Sequence, residues 1–297
     1  MKSREDMIWQ ALSHFVLVLL SFFALVPFVL LFVASFTDNK WAIANGFSFF
    51  PEVWSLDAYR FIAQEIDTLG RAYLMSIFVT ALGTIGSVFV TAGFAYALAN
   101  RELPGNRLLN FLCIFTMLFN GGIVASYYCW VSIFKIRDTL WALILPNLFM
   151  RAFNVILVRN YFTNNIPSSI IESARIEGAS EFRIYRQIVL PLSLPIIATI
   201  GVMIGIAYWN DWINGLYYLT HRKGRKLFTI QLVLNNINEN IRFLSANTTS
   251  SALSAIELPS VTIRMAISAI GILPIIIAYP FFQKYFVKGI TLGGVKG

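Results

Sequence analysis

Very few groups in this sequence are both of a type and in a place to do chemistry. Arg151 and Asp211 stand inside long apolar runs, and Arg264 stands near the start of another. Charge inside a bilayer is expensive, so each needs a polar path, a partner or a route to the headgroups. Asp211 belongs to the cluster Trp209-Asn210-Asp211-Trp212. Aromatic faces beside amide and carboxylate groups suit a ligand with apolar ring faces and many hydroxyls. The same four residues equally suit an aromatic belt at a membrane interface. Asn147 and Asn154 are weaker candidates of the same kind. No catalytic constellation stands out: there is no Gly-rich phosphate loop ending in Lys-Ser/Thr, no nucleophile elbow and no His pair. Cys113 and Cys129 share one apolar run and lack further ligands, so they read as small buried hydrophobes and no metal site is expected.

The elements that must position these groups are membrane spans. Hydrophobic residues make up 57% of the chain and charged residues 13%, whereas soluble domains carry about a quarter charged. The apolar residues come in blocks of roughly 20 or more, enough to cross a bilayer. The expected fold is an all-α membrane protein with six transmembrane helices, at 11–37, 72–100, 108–134, 139–160, 194–219 and 260–286. Lys2 and Arg4 imitate a signal peptide, but the apolar core is too long and no small-x-small cleavage site follows, so this run is expected to stay as the first helix. The net charge of +8 is ascribed to orientation and headgroup contact; no nucleic-acid motif accompanies it. Residues 38–70 carry Trp41, Phe47, Phe49, Phe50, Trp54, Tyr59 and Phe61, an interfacial belt or part of a docking surface. Gly121-Gly122 permits close helix approach or a local break in the third run. Residues 220–258 read as a long polar loop, with Thr229–Asn235 rich in β-branched residues and a chance glycosylation sequon at Asn247. Lys and Arg divide almost evenly between the two sides, so charge alone does not orient the chain.

Between the fourth and fifth runs lies the only long polar segment with helical patterning, Pro167 to Pro195. Ser169 and Glu172 have capping-box spacing, so a short helix is expected to begin there. Gly178 should interrupt it, and a second turn through Phe182, Tyr185, Ile188 and Val189 should follow. Pro191 should then end the polar part. Two short helices meeting at a glycine make an elbow able to protrude from a membrane body. On these residues alone, an ordinary polar loop with Glu172 paired to Arg175 is the simpler reading.

The pattern Glu172-Ser173-Ala174, three residues, Gly178, nine residues, Ile188-Val189-Leu190-Pro191 resembles the cytoplasmic EAA loop of ABC importer permeases. It departs from Glu-Ala-Ala, Gly, Ile-x-Leu-Pro only at Ser173. The words LVRNYF at 157–162, AYALANRELPGNR at 95–107 and QKYFVKG at 283–289 are similar to the carbohydrate-uptake branch of that family, maltose-type or complex-polysaccharide. The resemblance runs from about residue 70 to the C-terminus. It implies a first helix and outer loop in 1–70 and a transmembrane core in 71–290 that includes a coupling loop at 163–192. It also implies that Glu172, Ser173, Ala174, Glu177, Gly178, Ala179, Ile188, Leu190 and Pro191 form the surface coupled to an ATPase. Glu172 would offer its carboxylate to a cationic group, and Gly178 would supply the bend.

The implied protein is no enzyme but the permease subunit of an ATP-driven importer of oligosaccharides or polysaccharide fragments. It would sit in the bacterial inner (cytoplasmic) membrane as a multi-pass protein with both termini cytoplasmic. Its partners would be a second homologous permease in a heterodimer, two ATP-binding subunits that carry ATP and Mg, an extracytoplasmic solute-binding protein, and membrane lipid. This chain would bind no cofactor. The basic outer loop leaves room for an acidic saccharide such as a uronate oligomer. A permease for an amino acid or peptide is the nearest alternative, followed by an ion-driven secondary transporter and a membrane sensor. A secondary transporter would usually show repeats and midplane acids. With this orientation, Arg151 lies roughly 18 Å below the outer end of its span and Asp211 about 5 Å below the outer face. Those two should not pair directly. Arg264 shares the depth of Asp211, so these two are expected within reach of each other or together in an outer vestibule. Arg151 should face a water-filled path or a polar partner.

Overall fold

The structure is a computed structural model that describes residues 4–64, 66–247 and 260–294. Among the described residues everything regular is helical, apart from a single bridge between Thr37 and Trp54. The chain forms two compact units, Met1–Leu69 with Leu234–Pro274, and Gly70–Val233 with Ile275–Gly297.

The first unit opens with α1 (Arg4–Ser35), whose most apolar window has no residue buried. Its end is stapled by backbone hydrogen bonds from Asp38 to Val53 and from Ser55 to Phe36. The hydroxyls of Ser35 and Tyr59 meet at 2.8 Å, and the Phe36 and Tyr59 rings stack. Asp38 caps α2 (Asn39–Asn45) by accepting from the Trp41 N–H at 2.9 Å, the usual N-cap geometry. The Asn39 side-chain oxygen accepts from the Val261 N–H at 3.3 Å in the first turn of α15 (Ser260–Gly294). Helix α3 (Asp57–Gln64) follows α2, and Phe50 and Trp54 between them stay exposed, as a surface aromatic belt would.

The second unit is built on α4 (Ile66–Ala99), which with α1 is long and apolar enough to cross a membrane. Its buried face carries Val79, Ala92, Ala95 and Leu98. At Gly83 the ring of Tyr208 lies against the α4 backbone, so close that a Cβ there would stand 2.6 Å from it. The 102–105 turn is tight, as expected. Gly105 takes φ +79°, and the Asn106 side-chain amide donates to the carbonyls of Leu98 at 3.0 Å and Asn100 at 2.8 Å.

Three of the expected continuous runs are broken helices. The 108–134 run is α5 (Asn106–Leu118), a break at 119–121, then α6 (Gly122–Tyr128) and a wide π turn over Cys129–Ile133. The glycine pair does make a local break, with Gly122 at φ +79°. The 139–160 run is α7 (Trp141–Ile144), an irregular stretch at 145–151, then α8 (Ala152–Asn165). Pro146 removes a backbone donor there and Asn147 turns left-handed at φ +60°. The 194–219 run is α12 (Leu194–Trp209), a break at 210–212 and α13 (Ile213–Tyr218). The elbow helices and α12 meet at a bend of 80°, and as one bent pair they would make a third membrane crossing. Residues 220–258 are not a loop throughout, since α14 spans Ile230–Asn247. Apolar residues at Ile230, Val233, Leu234 and Ile237 give it a helical face that the polar Asn residues conceal.

Candidate functional site

The polar elbow folds as α9 (Ser168–Ile176), α10 (Glu181–Ile184), a π turn over Tyr185–Val189 and α11 (Leu190–Leu192). The expected capping box does not form. The N-cap is Pro167, whose carbonyl accepts from the Ile170 N–H, so Ser169 is already inside the helix. Helix α9 ends in a Schellman turn. The Gly178 N–H bonds the Arg175 carbonyl, the Ala179 N–H bonds the Ala174 carbonyl, and Gly178 sits at φ +80°. Ser180 then caps α10 by accepting from the Arg183 N–H. The chain stays helical past Pro191 through Leu192 and bends at Ser193. The π turn just before Pro191 has already shifted the i−4 ladder, so a missing N–H is tolerated there.

The nine residues tied to coupling divide between two faces. Ala174, Ala179, Ile188 and Leu190 pack against the buried core of the second unit, so they seat the elbow. Glu172, Ser173, Glu177, Gly178 and Pro191 are exposed. Ile176, 87% exposed, and Phe182, 68% exposed, project from the elbow as bare apolar groups. Neither Ile176 nor the outward turn of Phe182 was legible beforehand, because the helical period had placed Phe182 with Tyr185 and Val189, both buried.

Arg175 does not pair with Glu172. Its Nε donates to Glu181 at 2.8 Å, and one terminal nitrogen stands 3.5 Å from Glu102 in the 102–105 turn. Tyr96, near the end of α4, donates to the other Glu181 oxygen at 2.6 Å. The Tyr96 hydrogen bond first, then Arg175, hold the Glu181 carboxyl below its ordinary value against the opposing effect of burial. This clamp joins residues 73 and 85 positions apart, a pairing that no local spacing reveals. A groove of about 420 Å³ runs beside it, lined in part by Asn100, Arg101, Thr163, Ser168 and Glu172.

The charged and amide residues of the spans gather at the helix breaks. The break at 145–151 frees carbonyls that would be costly in an apolar surround. Three find a donor from a distant element: Tyr208 Oη bonds the Ile144 carbonyl at 2.8 Å, Asn214 Nδ2 bonds Pro146 at 3.0 Å, and Ser87 Oγ reaches Leu148 at 3.4 Å. Arg151 stands at the start of α8, exposed, with Nε donating to the Asn147 carbonyl at 3.2 Å. A cavity of about 270 Å³ opens beside it, lined by Leu148, Arg151, Phe153, Asn154, Met203, Ile204 and Ala207. Arg151 and Asn154 thus share one polar-edged space.

The 209–212 cluster is brought together only in part. Trp209 is buried edge-on against Tyr73, with ring centres 5.6 Å apart. Asn210 bonds the Ile206 carbonyl, and Asp211 accepts from the Ile213 and Asn214 N–H groups at 3.2 and 3.3 Å, capping α13. Trp212 is the one indole of the pair left open. No ion pair links Asp211 to Arg151 among the described residues. Arg264 lies on α15 in the first unit, whereas Asp211 lies in the second. Both cysteines are free, with Cys113 buried, and the described residues hold no cluster of metal ligands.

Comparisons with known proteins agree on one family. The permease protein YtcP of a polygalacturonan/rhamnogalacturonan transport system in Bacillus subtilis (strain 168) is 37% identical over 293 residues, covering 99% of this chain and 100% of that protein. The protein LplC of the same organism is 36% identical over 273 residues, 92% of this chain and 90% of its own. A chain in the crystal structure of a bacterial ABC transporter involved in the import of the acidic polysaccharide alginate superposes with a TM-score of 0.77 at 29% identity, covering 96% of this chain and 99% of that one. Residues 89–292, which hold the elbow and the broken helices, match the family described as binding-protein-dependent transport system inner membrane component, and the chain belongs to that family.

Proposed function

We propose that this protein is the transmembrane permease subunit of an ATP-driven importer for oligosaccharides or polysaccharide fragments. The observation that carries this reading is the elbow. Its inner face is seated on the core through Ala174, Ala179, Ile188 and Leu190, and Ile176 and Phe182 are left bare on its outer side. A soluble ATPase that gripped those two side chains could move the bundle through a rigid, clamped lever. Glu172 and Glu177 offer carboxylates beside them. The polysaccharide and oligosaccharide substrates named for the relatives support a saccharide as cargo.

In this reading the elbow and both termini face the cytoplasm, and the broken runs complete six crossings of a bacterial inner membrane. The core comprises residues 71–290, with 1–70 supplying the first helix and the outer loop. A second homologous permease, two ATP-binding subunits holding ATP and Mg, and an extracytoplasmic solute-binding protein complete the assembly. Reconstitution of the whole assembly in vesicles tests the proposal. Saccharide uptake should need ATP and should persist after ion gradients are collapsed; uptake driven by a gradient without ATP would sink it. A cysteine at Ile176 should cross-link to the ATP-binding subunit, and its labelling instead by an impermeant reagent added outside intact cells would reverse the orientation.

A further inference from the structure

The start of α8 places three kinds of anion-binding group around one cavity. Arg151 brings a guanidinium whose one hydrogen bond among the described residues, through Nε to the Asn147 carbonyl, leaves its terminal nitrogens available. Asn154 lines the same cavity and is only 4% exposed. An amide on such a wall offers both donors and an acceptor to whatever enters. The N–H groups of Ala152, Phe153 and Asn154 precede the first bond of α8, from the Val155 N–H to the Arg151 carbonyl, and the positive end of a fourteen-residue helix therefore lies at this level. Asp211 does not pair with Arg151 among the described residues, and one of its oxygens is taken up by two backbone donors. Leu148, Met203, Ile204 and Ala207 supply an apolar wall. A guanidinium, an amide and a helix N-terminus facing an apolar wall suit one ring of an acidic sugar, with its carboxylate on the charged side and its apolar face on the other.

We infer that this cavity is a carboxylate-reading subsite of the translocation path, with Arg151 binding the carboxylate of a uronate residue and Asn154 a neighbouring hydroxyl. The inference rests on the saccharide-importer reading above and adds the charge of the cargo and the residues that read it. Arginine suits this role better than lysine because its planar fork binds a carboxylate through two parallel hydrogen bonds.

The test compares trigalacturonate with its methyl ester, which keeps the same ring and loses the charge, in vesicles holding the complete transporter. Arg151→Gln should lower trigalacturonate uptake by roughly tenfold or more, the usual scale for losing a charge-assisted hydrogen bond. Uptake of the ester should change by less than about twofold on the same grounds. Arg151→Lys should recover part of the lost uptake, and Asn154→Leu should lower both sugars alike. Co-purification of the partner subunits with each variant controls for folding. Because the solute-binding protein also selects, equilibrium binding of labelled trigalacturonate to the complex without it is measured in parallel, and Arg151→Gln should weaken that binding to a similar degree. An equal loss for both sugars, or no loss, overturns the inference. So does a loss that follows the anionic lipid content of the vesicle, which would assign Arg151 to a lipid phosphate. A wild-type transporter that moves only neutral sugars overturns the inference and leaves the importer reading standing; one that moves no saccharide removes the importer reading itself.

Discussion

Gly178 shows how one residue type decides a local shape. At φ +80° a side chain is strained, yet a Cβ there would meet nothing within 4 Å. The expected cost of Gly178→Ala is therefore conformational alone, about 1 kcal/mol, with Gly178→Asn milder. Thermal unfolding of the assembled complex reads this, and a much larger loss would mean the bend is crowded in the assembly. Glu181 gives a second test at this scale. Its folded-state carboxyl lies below the ordinary value, so the stability it lends the clamp is complete above the ordinary carboxylate range and is lost as pH falls through the lowered one. Hydrogen-exchange protection over residues 172–181, taken relative to the intrinsic rate at each pH, should hold from neutral pH to the top of that window and fall below it. In Glu181→Gln that pH dependence should be missing. The glycine could be read from the sequence because its chemistry is local. The clamp could not, since Tyr96, Glu102 and Arg175 meet only after α4 and the elbow have packed.

At the scale of elements, hydropathy located every apolar run but averaged over the breaks within three of them. Pro146 and Gly121-Gly122 were visible as letters, but what makes a break bearable is donors from elsewhere, here Tyr208, Asn214 and Ser87. The second helix of the elbow likewise passed through a proline that local rules would have made its end. Helix α14 went unseen because amide side chains masked its apolar face. Packing between elements gives the next prediction. Gly83→Val would drive a side chain into the Tyr208 ring, which is held by its bond to the Ile144 carbonyl and has little room to yield. A loss of about 1–3 kcal/mol is expected, as for an overpacked core. Combining it with Tyr208→Ala should cost less than the sum of the two single changes. Strict additivity in denaturation of the pair would show that the ring does not rest on Gly83.

For the whole molecule, the long bare face of α1 and the exposed tip of the elbow mean that much of this chain is finished only by lipid and partners. The purified chain alone should hydrolyse no ATP above background, whereas the assembled complex should do so, and Phe182→Asp should lower the complex's rate without shifting the melting of the isolated chain by more than about 0.5 kcal/mol. Turnover by the isolated chain would contradict the division of labour proposed above. The widened turns at Cys129–Ile133 and Tyr185–Val189 bear on how such a chain tolerates change in length. Each holds one residue more than a regular helix needs, as if an insertion had been absorbed where it fell. Removing a single residue from 185–189 should iron the turn flat and leave both flanks facing as before. Removing one from the middle of Leu194–Trp209 would swing everything beyond it by about 100°. A change of one residue is then absorbed within a single turn at the lever but carried along the whole length of the shaft it turns.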